Sequence, residues 1–388
     1  MTFWQFSTVA DMRGDWFFPT EIRFGTGRIA ELPEVLLQHG IARPLIVTDK
    51  GLAATAIPAR IDALARQSST PLVWAGADQN PTGEQVIEGT QAFHDHRADG
   101  VVALGGGSGL DAGKSIALLA GLGGDLWRFS YPRSLEVQSE RSKVPIIAIP
   151  TTAGTGAEVE ASGIITDPSK PVKAGIVNLS MLPGVVIADA ELTVSLPRNL
   201  TAWTGMDALS HNLEALVVKQ FHPMADAIGA VGVKICHDWL PLAVENGNDM
   251  VARSYMMAAA IMGATSFVKG LGAMHALSHA IGALNNTQHG LTNAVLLPYV
   301  LQFNRPAIEG PVAALARYMG LTPTFEGYFD AAMELSTRIG IPGKITDLGV
   351  ARQDFHRLAV MALPDFNARC NPRPLDVPAL VSILEAAA

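Results

Sequence analysis

The first half of the chain alternates short, continuously apolar runs with amphipathic stretches. The apolar runs Pro44–Thr48, Pro71–Trp74, Gly100–Leu104, Val144–Ile149 and Val185–Ala188 predict five strands. Gln85–His94, between two of them, carries apolar residues at helical spacing. Strands that are apolar on both faces and separated by helices predict a parallel sheet covered on both sides. After Leu196-Pro197-Arg198 the period changes. From Thr201 onward no segment reads as a strand, and Trp203–Val218, Met224–Leu240, Val251–Thr265, Gly272–Leu284 and Val312–Met319 carry helical periodicity, punctuated by Pro and Gly. The pattern predicts an α/β domain over residues 1–195 followed by an all-helical domain over residues 196–388, with no internal repeat.

A chain of 388 residues exceeds the roughly 250–300 at which single cores stop growing, which fits two domains. The composition, 48% hydrophobic and 16% charged, implies much buried surface and favours a homo-oligomer, a dimer or larger. No uninterrupted apolar run reaches the ~20 residues of a membrane helix. The N-terminal MTFWQFSTVADMRGDWFF lacks the basic and apolar regions of a secretory signal. Two cysteines, Cys236 and Cys370, make no disulfide framework and fit a cytoplasmic setting. A net charge of -8 argues against a nucleic-acid partner and leaves a small-molecule enzyme.

Two regions carry candidate chemistry. In VVALGGGSGLDAGK a buried strand runs into Gly105, Gly106, Gly107 and Ser108, and a helix predicted to begin near Leu110 carries Asp111 and Lys114. Glycines let the backbone approach a ligand, and the unpaired N–H groups of a helix start attract a phosphate. This is neither the Rossmann nor the Walker spacing. Asp49 follows the first strand, where a carboxylate can accept hydrogen bonds from the ribose of NAD and repel a 2′-phosphate; the alternative is a solvated turn acid. Thr151, Thr152 and Thr155 form a second hydroxyl-rich loop after the fourth strand. Asn80-Pro81-Thr82 is either a further loop at the nucleotide or a plain turn.

In the helical half, Asp207 and His211 are four apart in TGMDALSH, as are His275 and His279 in MHALSHAIG. His289 follows, predicted in a loop after Asn285-Asn286-Thr287. Residues four apart share a helix face. One carboxylate and three imidazoles suit a borderline divalent ion, Fe2+ or Zn2+. Spacing alone leaves open which of the three late histidines are ligands. The other histidines lack such partners. Lys269, just before this helix, is a candidate receptor for a substrate carboxylate, or a solvated lysine.

Together GGGSxxDxxK, TTxGTGxE, TGMDALSH and HxxxH…NTxHG resemble the iron-containing (group III) alcohol dehydrogenases, from Phe24 to Arg373. The segment FVKGLGAMHALSHAIGA is similar to the branch with 4-hydroxybutyrate and polyethylene-glycol dehydrogenases. The resemblance implies a dehydroquinate-synthase-like fold, with an α/β nucleotide-binding domain and a helical metal-binding domain. It implies Asp207, His211, His275 and His289 as metal ligands. It makes His279 the catalytic histidine that neighbours the nicotinamide and the metal without ligating strongly. It puts Asp49, Gly105, Gly106, Gly107, Ser108, Asp111, Thr151, Thr152, Thr155 and Lys173 at the cofactor. The implied reaction passes hydride between a primary alcohol, such as the ω-hydroxy acid 4-hydroxybutyrate, and NAD(P), with NAD favoured by Asp49. The metal acts as a Lewis acid. Family members commonly keep a proline after the second late histidine, where this chain has Ala280-Ile281. The rival reading is a non-redox, dehydroquinate-synthase-like lyase of the same fold. The chain lacks a basic cluster for a phosphorylated substrate, which counts against it.

Overall fold

The computed structural model describes residues 20–169 and 172–388; the N-terminal segment weighed as a signal lies outside them. The contacts divide the chain into two compact units. One comprises the described residues up to Thr152 together with Gly156–Ser195; the other comprises Ala153–Thr155 and Leu196–Ala388.

The first unit is built on a parallel sheet. Its strands are β1 (Glu21–Phe24), β2 (Pro44–Asp49), β3 (Leu72–Ala77), β4 (Gly100–Gly105), β5 (Ile146–Pro150) and, later in the chain, Val185–Ala188. A separate antiparallel hairpin pairs β6 (Ser162–Asp167) with β7 (Val172–Val177), so the last strand of the main sheet is β8. The main sheet runs β1-β8-β5-β4-β2-β3. Its helices are α1 (Leu32–Gln38), α2 (Lys50–Ala53), α3 (Ile57–Ala65), α4 (Gly83–Asp95) and α5 (Gly107–Leu122). β4, β5 and β8 are buried along their whole length, so their sequence is apolar without alternation. Strands β1, β6 and β7 are additions to the five the pattern predicts. β1 is a four-residue edge strand, half exposed, and the hairpin stands outside the main sheet, so none has a continuous apolar signature.

Chain order reverses across the sheet between β2 and β4. From β2 the chain adds β3 on one side, and from β4 it adds β5 and β8 on the other. In open α/β sheets the ligand crevice lies at such a reversal, beyond the carboxyl ends of the strands. Asp49 ends β2 and Gly105 ends β4, so these two residues mark that crevice.

Among the described residues the second unit contains no strand. Its helices are α6 (Arg198–Val217), α7 (Pro223–Glu245), α8 (Met250–Ser266), α9 (Ala273–Asn285), α10 (His289–Met319), α11 (Phe325–Ile339), α12 (Phe355–Ala362) and α13 (Val377–Ala386). Fifteen residues of α6 are buried, and α7, α8 and α10 pack around it. By length and composition, Pro223–Glu245 and Met250–Lys269 are apolar enough to span a bilayer, unlike any uninterrupted run in the sequence. Asp226, Lys234 and Asp238 interrupt the first, and Arg253 interrupts the second. Half or more of each apolar window is buried inside the protein, as in core helices.

Candidate metal centre and nucleotide-binding strand ends

Four side chains from three helices converge in the helical unit. Asp207 and His211 lie one turn apart on α6, His275 lies on α9, and His289 is the first residue of α10. The structure thus places His289 in a helix rather than the expected loop, with Gln288 as its N-cap. One donor atom from each of the four lies within 4.8 Å of the others. Asp207, His211 and His275 are 5% exposed or less, and His289 is partly exposed.

Partners behind the donors aim them. Glu214, three residues past His211 on α6, sets Oε2 2.6 Å from His275 Nδ1 and accepts the Met274 and His275 N–H groups at the start of α9. Ser278 Oγ lies 2.9 Å from His289 Nδ1. With Nδ1 engaged in both rings, Nε2 of each is left to face the cluster. Asn293, one turn along α10 from His289, reaches in with its amide nitrogen. That nitrogen is 2.9 Å from Asp207 Oδ1, 3.1 Å from His275 Nε2 and 3.2 Å from His289 Nε2. Glu214, Ser278 and Asn293 were not singled out in the sequence.

Burial also sets protonation. Desolvation pushes His211 and His275 down to about 4, so both rings are neutral near pH 7 with lone pairs available. Burial pushes Glu214 up to about 7, against the hydrogen bonds it accepts from α9. One carboxylate and three imidazoles, with Nε2 of His275 and His289 turned into the cluster, match the donor set of a divalent transition-metal ion. The residues fit the metal that their pattern predicts.

His279 stands beside this group. Its ring is 5.3 Å from that of His289 and 6.4 Å from that of His275, centre to centre. Its Nδ1 is 2.8 Å from Asp365 Oδ2. Burial acts to raise Asp365, but His279 and the Asn367 N–H outweigh it and hold the carboxyl below its usual range. Phe366 packs on the His279 ring, centroids 6.2 Å apart.

Lys269 does not serve as the carboxylate receptor considered from the sequence. It is 2% exposed, its Nζ is ion-paired with Asp226, and it also donates to Leu216 O at 3.4 Å. A buried ammonium already neutralised by a carboxylate is not available to a second one.

In the α/β unit, Asp49 caps α2, with Oδ1 accepting from Leu52 N at 2.9 Å. Gly105 has φ +144°, and a Cβ there would stand 3.2 Å from Asp49 Oδ2. Glycine thus permits both the turn out of β4 and its close approach to Asp49. α5 begins at Gly107, earlier than the Leu110 expected; its first turn contains Gly107 and Gly109, whose weak helix propensity hides that turn in the sequence. No side chain caps this start, so its first N–H groups lie outside the helical ladder and suit an anion. Thr151 donates its N–H to Gly105 O at 2.9 Å, and Thr152 packs on Gly106.

Other motif residues act differently. Asp111, expected at the cofactor, is consumed internally. Its Oδ1 pairs with the buried Lys114 at 3.1 Å, and its Oδ2 accepts from Ile164 N on β6 at 3.0 Å. Lys114 also donates to Ala157 O and Ser162 O, so this pair clamps α5 to the β6–β7 hairpin. Lys173 lies on β7 of that hairpin, opposite Thr166. Ser108 donates its hydroxyl to Gln79 O. Thr82 caps α4 in a capping box with Gln85, which favours the plain-turn reading of that segment. Thr155 falls in the helical unit rather than with Thr151 and Thr152.

Comparison with known proteins decides the family. The model for iron-containing alcohol dehydrogenase matches residues 19–190, and that for the C-terminal part of the same family matches residues 201–388. The chain belongs to the iron-containing alcohol dehydrogenases. It is 34% identical to the NAD-dependent methanol dehydrogenase of Bacillus methanolicus, over 96% of this chain and 99% of that one. It is 36% identical to the 4-hydroxybutyrate dehydrogenase of Cupriavidus necator, over 92% and 95%. The solved structure of a 1,3-propanediol oxidoreductase superposes with TM-score 0.92 at 34% identity, covering 96% of this chain and 99% of that chain. As an iron-containing alcohol dehydrogenase, the protein is an oxidoreductase that uses NAD(H) and a divalent metal. Family membership sets aside the non-redox lyase of the same fold.

Proposed function

We propose that Asp207, His211, His275 and His289 hold one Fe2+ or Zn2+ ion and that the protein interconverts small primary alcohols and their aldehydes. The convergence of the four donor groups within 4.8 Å carries this reading. Held by these four residues, the ion would supply Lewis-acid polarisation of the alcohol or aldehyde oxygen, and NAD(H) would supply the hydride chemistry. The chain's own groups do the rest. With one carboxylate and three imidazoles as its donors, a bound dication would keep a net charge of about +1, which would favour an oxygen that becomes anionic. Glu214 and Ser278 orient the rings through Nδ1. His279, held on Asp365 through its own Nδ1, keeps Nε2 for the substrate side and relays the hydroxyl proton. Asp49, the β4–α5 turn and Thr151–Thr152 bind NAD, with Lys173 as a further contact.

With Lys269 committed to Asp226, an ω-hydroxy acid such as 4-hydroxybutyrate lacks the cation first considered for it, so uncharged alcohols rank first. The test is NADH formation from 1-propanol, 1,3-propanediol and 4-hydroxybutyrate, with and without chelator. Turnover of the uncharged alcohols that chelation abolishes and Fe2+ or Zn2+ restores is expected. Absence of NADH with every alcohol after metal loading would contradict the reading. The apolar composition also supports assembly into at least a homodimer, and sedimentation at micromolar concentration would contradict this if it showed monomer alone.

A further inference from the structure

Asn293 is fully buried, and its amide nitrogen meets three of the four donors of the cluster: Asp207 Oδ1 at 2.9 Å, His275 Nε2 at 3.1 Å and His289 Nε2 at 3.2 Å. All three are electron-rich. The Nδ1 atoms of the two rings face Glu214 and Ser278, which leaves the Nε2 lone pairs in the cluster beside the amide. A carboxylate oxygen and two imidazole lone pairs crowded together repel one another unless a positive group lies among them. The NH2 group brings two polarised hydrogens to that place. The opposite amide orientation would set a carbonyl oxygen against all three and is disfavoured. The observed orientation has a cost, because Asn293 Oδ1 is buried without a hydrogen-bond partner. A leucine of similar size would fill the same space without that cost, so side-chain volume does not account for an amide here.

We propose that Asn293 is a positioning residue of the metal centre, which keeps Asp207, His275 and His289 assembled before the ion arrives and thereby sets its affinity. This rests on the four-ligand reading above. Asn293 and His289 are four apart on α10, so one helix face carries both a ligand and the group that steadies its neighbours.

The test uses the full-length enzyme stripped of metal. Co2+ affinity is measured by chelator competition, the Co2+ ligand field by its visible spectrum, and metal-free stability by thermal unfolding. Asn293→Ala is expected to weaken Co2+ about 10–100-fold and to alter the visible spectrum, as loss of a group orienting the ligands does. Asn293→Asp places a carboxylate against Asp207. It is expected to lower the metal-free midpoint while enlarging the rise on adding Co2+. Either variant decides the matter if the other does not fold. Wild-type Co2+ affinity and spectrum in Asn293→Ala, or a wild-type metal-free midpoint in Asn293→Asp, would overturn the proposal. His275→Ala separates the two levels. If it too binds Co2+ like wild type, the four-ligand reading falls. If it loses Co2+ while the Asn293 variants match wild type, only the role of Asn293 falls.

Discussion

Glu214 lies one turn beyond His211 on α6 and meets His275 from behind, 2.6 Å from Nδ1, while it also caps α9. A carboxylate there raises the basicity of the ring and fixes its orientation. Glu214→Gln should weaken metal binding about 10–100-fold by chelator competition, with the fold retained; unchanged affinity would remove Glu214 from the centre. At the other site, Asp49 offers Oδ2 beside the β4 turn while Oδ1 holds α2. Asp49→Gly should raise kcat/KM with NADP relative to NAD, since the repulsion of a 2′-phosphate is gone. Equal use of NADP by the unaltered enzyme would contradict this. The candidate donors were legible in the sequence, because i, i+4 pairs on a helix leave a local signature, whereas the choice among His275, His279 and His289 came from the family resemblance. Glu214, Asp365 and Asn293 were not. They act across elements, and a Glu, Asp or Asn carries no spacing that marks such a contact. The motif aspartate misleads in the opposite sense: Asp111 looks like a ligand residue, yet it braces the hairpin through Lys114 and Ile164.

Helices α6 and α10 bring Asp207 and His289 together, and Gly290 is where they touch. A Cβ on Gly290 would stand 2.2 Å from Trp203 O and 2.9 Å from Asp207 Cβ. The carbonyl belongs to the α6 backbone and cannot swing aside, so a methyl group must push the helices apart. Gly290→Ala should lower stability by about 1–3 kcal/mol and weaken metal retention together. Stability and metal content like those of the wild type would show that this contact does not hold the centre. The parallel strands were readable because buried strands are apolar throughout. Helix α10 was read only at its end, Val312–Met319. Pro298, Pro306 and Pro311 lie inside it and mark breaks in a sequence, yet the chain continues helical from His289 to Met319. Packing of Val295–Leu297 and Val300-Leu301 into the core outweighs the hydrogen bonds that the prolines forfeit.

At the scale of the whole molecule, the change from apolar strand runs to helical periodicity was enough to expect an α/β region followed by helices. That class is what the sheet and the helical unit display, and what the family models match across nearly the whole chain. The division of roles among the late histidines is finer, since it depends on which ring meets which partner. His275 and His289 are turned by Glu214 and Ser278 so that Nε2 faces Asp207, whereas His279 is turned by Asp365. The central claim is that Asp207, His211, His275 and His289 hold the ion while His279 serves the substrate. Its most direct test is metal content and turnover of Asp207→Ala, His275→Ala, His289→Ala and His279→Ala after identical anaerobic loading. The first three should lose metal and activity together, and His279→Ala should keep most of its metal while losing turnover. A His279→Ala variant as depleted of metal as His275→Ala would contradict the account and make His279 a ligand.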